Sequence, residues 1–533
     1  MEPSGSPIAR THTHSIQRHA AAGFLKEGII WAGPGLLCVI AFTALVQQTF
    51  STHAAAQATG LHYTTWKGNN ARNGEQQNET ILTPSNVNSA HFGILFEHSV
   101  DGKVLAQPLY LSHVSIAGGT HNVVFVATEH DSVYAFDADK SGPPLWHRSL
   151  IPPGATTVPN AHAELEELGI TGTPVIDAST GTLYVVAETL NSGRVVFRLH
   201  ALKVATGQEE GGSPAVIKPS GFQPKQQMQR PGLLLASGNV YAAFGSTGDD
   251  TPPYHGWIIA FSASSLAQVG VWNSTPGGGE GAVWMSGAGL AASSTGNVYA
   301  MTGNGSWNGT SNLSNSFVRL SPNLTPLDYF TPFNQAALTA QDLDLGAGGV
   351  LLVDSRSAFP DEAIGCGKFP AIYVVDRINM GRFHPSSNRQ IIQEVDNQVG
   401  GGGSRQPKAH CFMTPAFWNH TLYFAGNNDV LKAFRFNSST GKMSTTPISK
   451  GGFVFTYPGA EPVVSANGAS NGIVWAMDHA SSVSLHAYDA TNLSRELFRS
   501  RGLGTGVHFA VPTVVNGKVY VGTASKLFVF ASH

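Results

Sequence analysis

The chain has 533 residues, of which 60 are glycine and 30 proline, and only 12% are charged. This is a turn-rich, strand-rich composition, and no sustained amphipathic helical window stands out. A net charge of −3, with no basic stripe and no aromatic–basic interleaving after the leader, gives no reason to expect nucleic acid as a partner.

In chain order, the first segment differs in kind from the rest. Residues 1–27 carry Arg10, Arg18 and Lys26, Gly28–Val46 is an uncharged apolar run, and Ala54–Ala58 offers small residues at A-x-A spacing. Basic, then apolar, then small is the order of an export signal. A retained signal anchor is the alternative, because the run lies near the lower limit of roughly 17–25 residues for a spanning helix. Gly33, Pro34 and Gly35 interrupt the run and favour cleavage. On either reading residues 1–58 are a leader. The body, 59–533, is exported, whether periplasmic, extracellular or membrane-anchored, and it meets a membrane only through an uncleaved leader.

From Leu61 onward one phrase recurs: a strand of the type G-x-V-Y-V-x-T, a gap, and a second strand ending in an A-x-D-A-type turn. Clear copies are Asn122–Trp146, Gly181–Gly207 and Gly472–Asn492; looser ones start at Gly238, Gly296, Ala371, Thr421 and Gly517. Each has a period-2 apolar alternation closed by Gly, Asp, Asn or Thr, which is hairpin chemistry. The spacing, roughly 60 residues, is wider than in the commonest propeller families, and long inter-strand loops would account for it. Ring closure removes exposed edges, so a closed array is preferred to an open sandwich. The expected fold is all-β: one β-propeller of about eight four-stranded blades, with seven blades and irregular insertions also open.

Cys38 lies in the leader, which leaves Cys366 and Cys411 either as a disulfide or as two buried thiols. No C-x-x-C-H is present, so covalent haem is excluded. No nucleophile elbow, zincin, P-loop or dinucleotide fingerprint occurs in proper context. His410 and His508 are placed near the central channel, where a lone histidine is more often structural than a ligand.

Five stretches carry a resemblance. The first is Trp66, Asn73, Leu82-Thr83 and Asn86-Val87. Trp284 follows, then Thr302-Gly303-Asn304-Gly305-Ser306-Trp307-Asn308, then Asp342-Leu343-Asp344. The last is Lys368-Phe369-Pro370-Ala371-Ile372-Tyr373-Val374-Val375-Asp376-Arg377. In this order they resemble the propellers of pyrroloquinoline quinone (PQQ) dependent alcohol dehydrogenases and the broader PQQ-like repeat proteins.

The resemblance implies a site. Trp284 matches the tryptophan that supports the flat quinone, a role suited to a wide aromatic face. A hard cation, calcium or a lanthanide, would bridge protein oxygens and the quinone as a Lewis acid. Asn304 matches its amide ligand, and Asp344 the extra carboxylate of lanthanide-using members. Glu188 is the best match to a glutamate ligand after an earlier strand, although the Thr189–Gly193 that follows does not match. Asp342 matches the general base, and Lys368 the cation that hydrogen-bonds the quinone oxygens.

Read as residues alone, Asp342 and Asp344 could instead close a blade turn, and Asn304 could serve a tight hairpin. Trp284 could pack between blades, and Lys368 could lead solvated into a strand. The chain also departs from the dehydrogenases: it has no adjacent Cys-Cys pair, carries Pro370 after Lys368, and continues the Asp pair with Gly346-Ala347-Gly348-Gly349. Fold does not imply function. Because catalysis needs every member of the site and scaffolding needs none, a non-catalytic propeller binding an envelope protein or glycan is set ahead. The alternative is a PQQ- and cation-dependent dehydrogenase of an alcohol or sugar. The geometric requirement of a cofactor site is that Asn304, Asp342 and Asp344 converge beside Trp284.

Overall fold

A computed structural model describes residues 60–160, 165–248, 250, 252–354, 361–401, 410–480 and 482–533. Residues 1–58, expected from the sequence to be a leader, lie outside the described residues. The strands form eight antiparallel-based sheets, one per repeat, arranged as blades around an axis. Blade 4, for example, runs from the axis outward through Ala291–Ala292, Val298–Met301, Phe317–Leu320 and Pro326–Thr331. The eight-blade expectation holds, and the seven-blade alternative falls away. Seven copies of the phrase begin the second strand of a blade. The copy at Ala371 begins the third strand of blade 5, whose second strand is Glu362–Cys366.

The phrase has a physical cause. Its tyrosine, on the second strand of one blade, donates to a carbonyl just past the third strand of the next. Tyr184 reaches Ala263 O at 2.9 Å, Tyr241 reaches Pro322 O at 2.7 Å and Tyr299 reaches Arg377 O at 3.4 Å. Tyr423 reaches Ala490 O at 2.9 Å, and Tyr520 reaches Ala138 O at 3.5 Å. The aspartate of the closing turn accepts from the backbone two residues on, as Asp137 does from Asp139 N and Asp489 from Thr491 N. A buried phenol needs an acceptor and a tight turn needs a cap, so both letters repeat with the blades.

The ring closes on blade 8, where Phe92–Ser99 pairs with Lys526–Ser532, the last strand of the chain. Closure leaves no long unpaired edge between the first blade and the last.

The stretch from Tyr63 to Glu79 lies inside the ring and touches the innermost strands in turn. Tyr63 pairs with Tyr110 of blade 1, and Thr64 O accepts from Ile176 N of blade 2 at 2.8 Å. Asn70 Nδ2 donates to Leu235 O of blade 3 at 2.9 Å. Asn70 O, Ala71 O, Asn73 O and Gly74 O accept from Ala292, Leu352, Phe417 and Val464 of blades 4 to 7 at 2.7–2.8 Å. Glu79 Oε2 finally takes Gly517 N of blade 8 at 2.9 Å. This strap buries Trp66, Lys67 and Arg72 on the axis. Arg72 donates to Leu290 O, Thr65 Oγ1 and Trp66 O at 2.7–2.9 Å. Cys366 and Cys411 form a disulfide between blade 5 and the approach to blade 6.

Candidate functional site

The hairpins between second and third strands, and the links between blades, emerge at one end of the ring. Links and hairpins of blades 3 to 7 enclose a cavity of about 730 Å³ there, lined by Trp284, Asn304, Asp342, Asp344 and Lys368 among others. Five of the six residues singled out in the sequence therefore share one cavity.

Trp284 stands on the link between blades 3 and 4. The three residues after it, Met285, Ser286 and Gly287, all have left-handed φ (41°, 52° and 89°). Ser286 Oγ pins this bend by donating to Ala347 O at 2.5 Å. Asn304 sits in the second hairpin of blade 4, where Gly303 has no room for a side chain: a Cβ would come within 2.7 Å of Asp344 Oδ1. The approach lets Asn304 N donate to Asp344 Oδ1 at 2.7 Å, while Asn304 Nδ2 donates to Asp342 Oδ1 at 3.0 Å. Asn315 Nδ2 donates to Asn304 Oδ1 at 2.9 Å and so fixes the amide.

Lys368 joins the group from blade 5. Its Nζ lies 2.9 Å from Asp342 Oδ1 and 2.7 Å from Asp344 Oδ2. Burial works against its charge, but the two carboxylates outweigh that and hold its pKa above the ordinary lysine value. Asp342 is 78% exposed at the rim, and Asp344 only 12%. His410 Nδ1 donates to Lys368 O at 2.7 Å, which ties the lysine's backbone to the disulfide-bonded segment.

Glu188 is not in the cavity. It lies buried on the second strand of blade 2, Thr182–Asn191, where burial and then the Asp131 and Glu129 carboxyls push its pKa well up. The strand alternation turns it toward the blade 1 hairpin instead of the mouth. Two further acids line the cavity beside Asp342 and Asp344, namely Asp250 and Glu280. Burial, with the charge of Asp344 adding to it, raises the pKa of each. The run Gly277-Gly278-Gly279-Glu280-Gly281, just before Trp284, was the available signal for one of them. Arg230, Tyr254 and Phe412 also line the cavity and carried no sequence signal.

For a quinone and a cation the residues fit in kind but not in arrangement. An ammonium already lies between the two carboxylates, and among the described residues no group of three or more His, Cys, Asp or Glu is placed to hold a metal ion. The Arg230 guanidinium lies over the Trp284 ring at 5.8 Å, and Phe412 stands 6.5 Å from it with planes at 50°.

No family model matches the sequence, and no curated protein matches it. Solved structures do match. A quinohemoprotein alcohol dehydrogenase from Pseudomonas putida aligns over 88% of this chain and 80% of its own, with 12% identity and a TM-score of 0.59. A europium-containing methanol dehydrogenase aligns over 89% and 98%, with 13% identity and a TM-score of 0.61. The chain has the fold of a PQQ-like propeller. BamB from Moraxella catarrhalis is similar to this chain as well, over 83% of this chain and 97% of its own, at 13% identity and a TM-score of 0.50. At these identities the likeness establishes the fold, and the site must argue the function.

Proposed function

We propose that the chain is an exported, non-catalytic PQQ-like propeller of the cell envelope whose cavity binds a small polyhydroxylated ligand, a sugar or alcohol. The observation that carries this reading is the pairing of Lys368 with both Asp342 and Asp344. The residues that would serve as base and cation ligand already satisfy one another. The mouth also offers a polar cup with aromatic walls: Trp284, Tyr254 and Tyr457 beside Gln341 and Asp250. Aromatic faces pack against the C–H surface of a sugar ring, and amides and carboxylates take its hydroxyls.

The second reading, a PQQ- and cation-dependent dehydrogenase of an alcohol or sugar, is favoured by the convergence of five family-matched residues from separate connections. In that case a bound quinone would supply the oxidising chemistry. One experiment separates the two. The purified full chain is incubated with PQQ and calcium, or with PQQ and lanthanum, then desalted. It is assayed for quinone absorbance and for dye reduction with a panel of alcohols and sugars, and titrated calorimetrically with the same sugars. Heats of sugar binding with no retained quinone support the binding reading; retained quinone with dye reduction overturns it.

A further inference from the structure

The cavity at the mouth of the ring is a bowl whose walls come from separate connections, and one covalent bond joins two of them. Cys366 closes the second strand of blade 5, Glu362–Cys366, and Lys368 follows two residues later in the hairpin. Cys411 lies on the approach to blade 6, between His410 and Phe412, and both of these line the cavity. The disulfide therefore ties the wall that carries Lys368 to the wall that carries Phe412.

The hydrogen bonds around it run the same way. Gly367 O accepts from Cys411 N at 3.0 Å, and Lys368 O accepts from His410 Nδ1 at 2.7 Å. A third tie, from Lys368 N to Asp344 O at 2.9 Å, draws the hairpin against the aspartate turn. Gly367 makes that approach possible, because a Cβ there would lie 2.5 Å from both Asp344 O and Leu345 O. Residues 410 and 411 thus support the backbone under Lys368, and the disulfide fixes that support to the strand leading into the hairpin. An apolar cluster with Leu351, Ile364, Leu422 and Phe424 already joins blades 5 and 6, so the blades themselves do not need a covalent bond. A side chain that must meet two carboxylates, at 2.7 and 2.9 Å, does need a fixed base.

We propose that the Cys366–Cys411 disulfide is a positioning element of the bowl, which keeps Lys368 seated between Asp342 and Asp344 and sets its wall against that of Phe412. Its effect on ligand affinity rests on the sugar-binding reading above; its effect on Lys368 does not.

The test compares the full chain with Cys366→Ala/Cys411→Ala by acetic anhydride labelling at neutral pH, read lysine by lysine by mass spectrometry. Lys518 is the control, because it pairs with Asp139 at 2.8 Å on blade 8 and is 15% exposed against 17% for Lys368. Loss of the bridge should raise the labelling rate of Lys368 at least about fivefold and leave Lys518 unchanged. Calorimetric titration with glucose and lactose should show affinity falling roughly tenfold in the same variant. Should the double alanine fail to fold, Cys366→Ala/Cys411→Val refills part of the space left by the sulfurs and makes the same test. Unchanged labelling of Lys368 overturns the proposal, as does a rise shared equally by Lys518, which would mean a general loosening of the ring. Raised labelling with unchanged sugar affinity overturns the role in the bowl. If neither variant folds, the bridge carries the fold itself and the positioning role falls. Absence of sugar binding in the parent overturns the sugar-binding reading, while the labelling still decides what holds Lys368.

Discussion

Lys67 and Lys368 both meet carboxylates near the axis of the ring, one in the strap and one in the bowl. Lys67 lies 3.0 Å from Glu461, with the two side chains 0% and 2% exposed, and it also donates to Thr414 O. Burial lowers the pKa of this lysine and raises that of Glu461, with their mutual attraction opposing both shifts. Lys368 has two carboxylates, an open side toward water, and a raised pKa. The sealed pair has no partner to exchange and serves to hold the strap to blades 6 and 7. The open network can release Asp342 to a ligand at little cost, because Asp342 itself is mostly exposed and Lys368 keeps Asp344 as its partner.

The largest effect should follow from breaking the sealed pair. Glu461→Gln leaves an ammonium buried without its carboxylate and should cost about 3–5 kcal/mol, read from the urea midpoint at neutral pH. Replacing both residues by methionine should recover most of that loss, because a well-packed apolar pair is often as stable as a buried ion pair. A single-variant loss below about 1 kcal/mol would mean that Lys67 sheds its proton, and with it the contrast to Lys368.

A second contrast sets the bowl against the blade 1–2 junction, where Glu129, Asp131 and Glu188 meet with no lysine among them. Burial pushes Glu129 up to about 7, against the pull of Gly169 N and Thr171 Oγ1. Asp131 and Glu188 are also raised well above the ordinary carboxyl range, chiefly by burial. A carboxyl whose folded pKa is raised keeps its proton while the unfolded chain loses it, so the native state binds more protons and stability falls as pH rises. The contribution of Glu129 is fully present below about pH 4.5 and gone above about pH 7. Glu129→Gln should flatten that decline and gain up to about 3 kcal/mol over the parent at pH 8, measured by denaturant melts across the range. An unchanged slope would show that the trio is ionised in the native state.

The repeats were legible because the strands that carry them are buried on both faces and because five of the tyrosines, and turn aspartates such as Asp137 and Asp489, have a fixed partner. The displaced copy at Ala371 shows the limit. Glu362–Cys366 reads EAIGC, lacks the tyrosine, and so escaped notice beside the stronger strand that follows. Within the site, Asn304, Asp342, Asp344 and Lys368 could be found because each stands in a short stretch whose form resembles a motif of the PQQ-like propellers. Asp250 and Arg230 could not, because nothing in a linear sequence says which long connections fold over the mouth. Glu188 was misplaced because strand alternation decides which way a side chain points, and the sequence does not give the register of the neighbouring blade.

The smallest expected change in stability is the most informative about the bowl. Asp342 has φ 53°, a conformation that asparagine also tolerates, so Asp342→Asn keeps the backbone and removes only the charge. The side chain is 78% exposed, and its Oδ1 accepts from Lys368 and Asn304, on two neighbouring connections. Loss of so exposed a pair should cost within about 0.5 kcal/mol, while sugar affinity should fall roughly tenfold. A stability loss above about 1.5 kcal/mol with affinity intact would assign Asp342 to closing its own turn. The bowl would then resemble the strap, a device for holding blades together, and the open side of Lys368 would have no ligand to explain it.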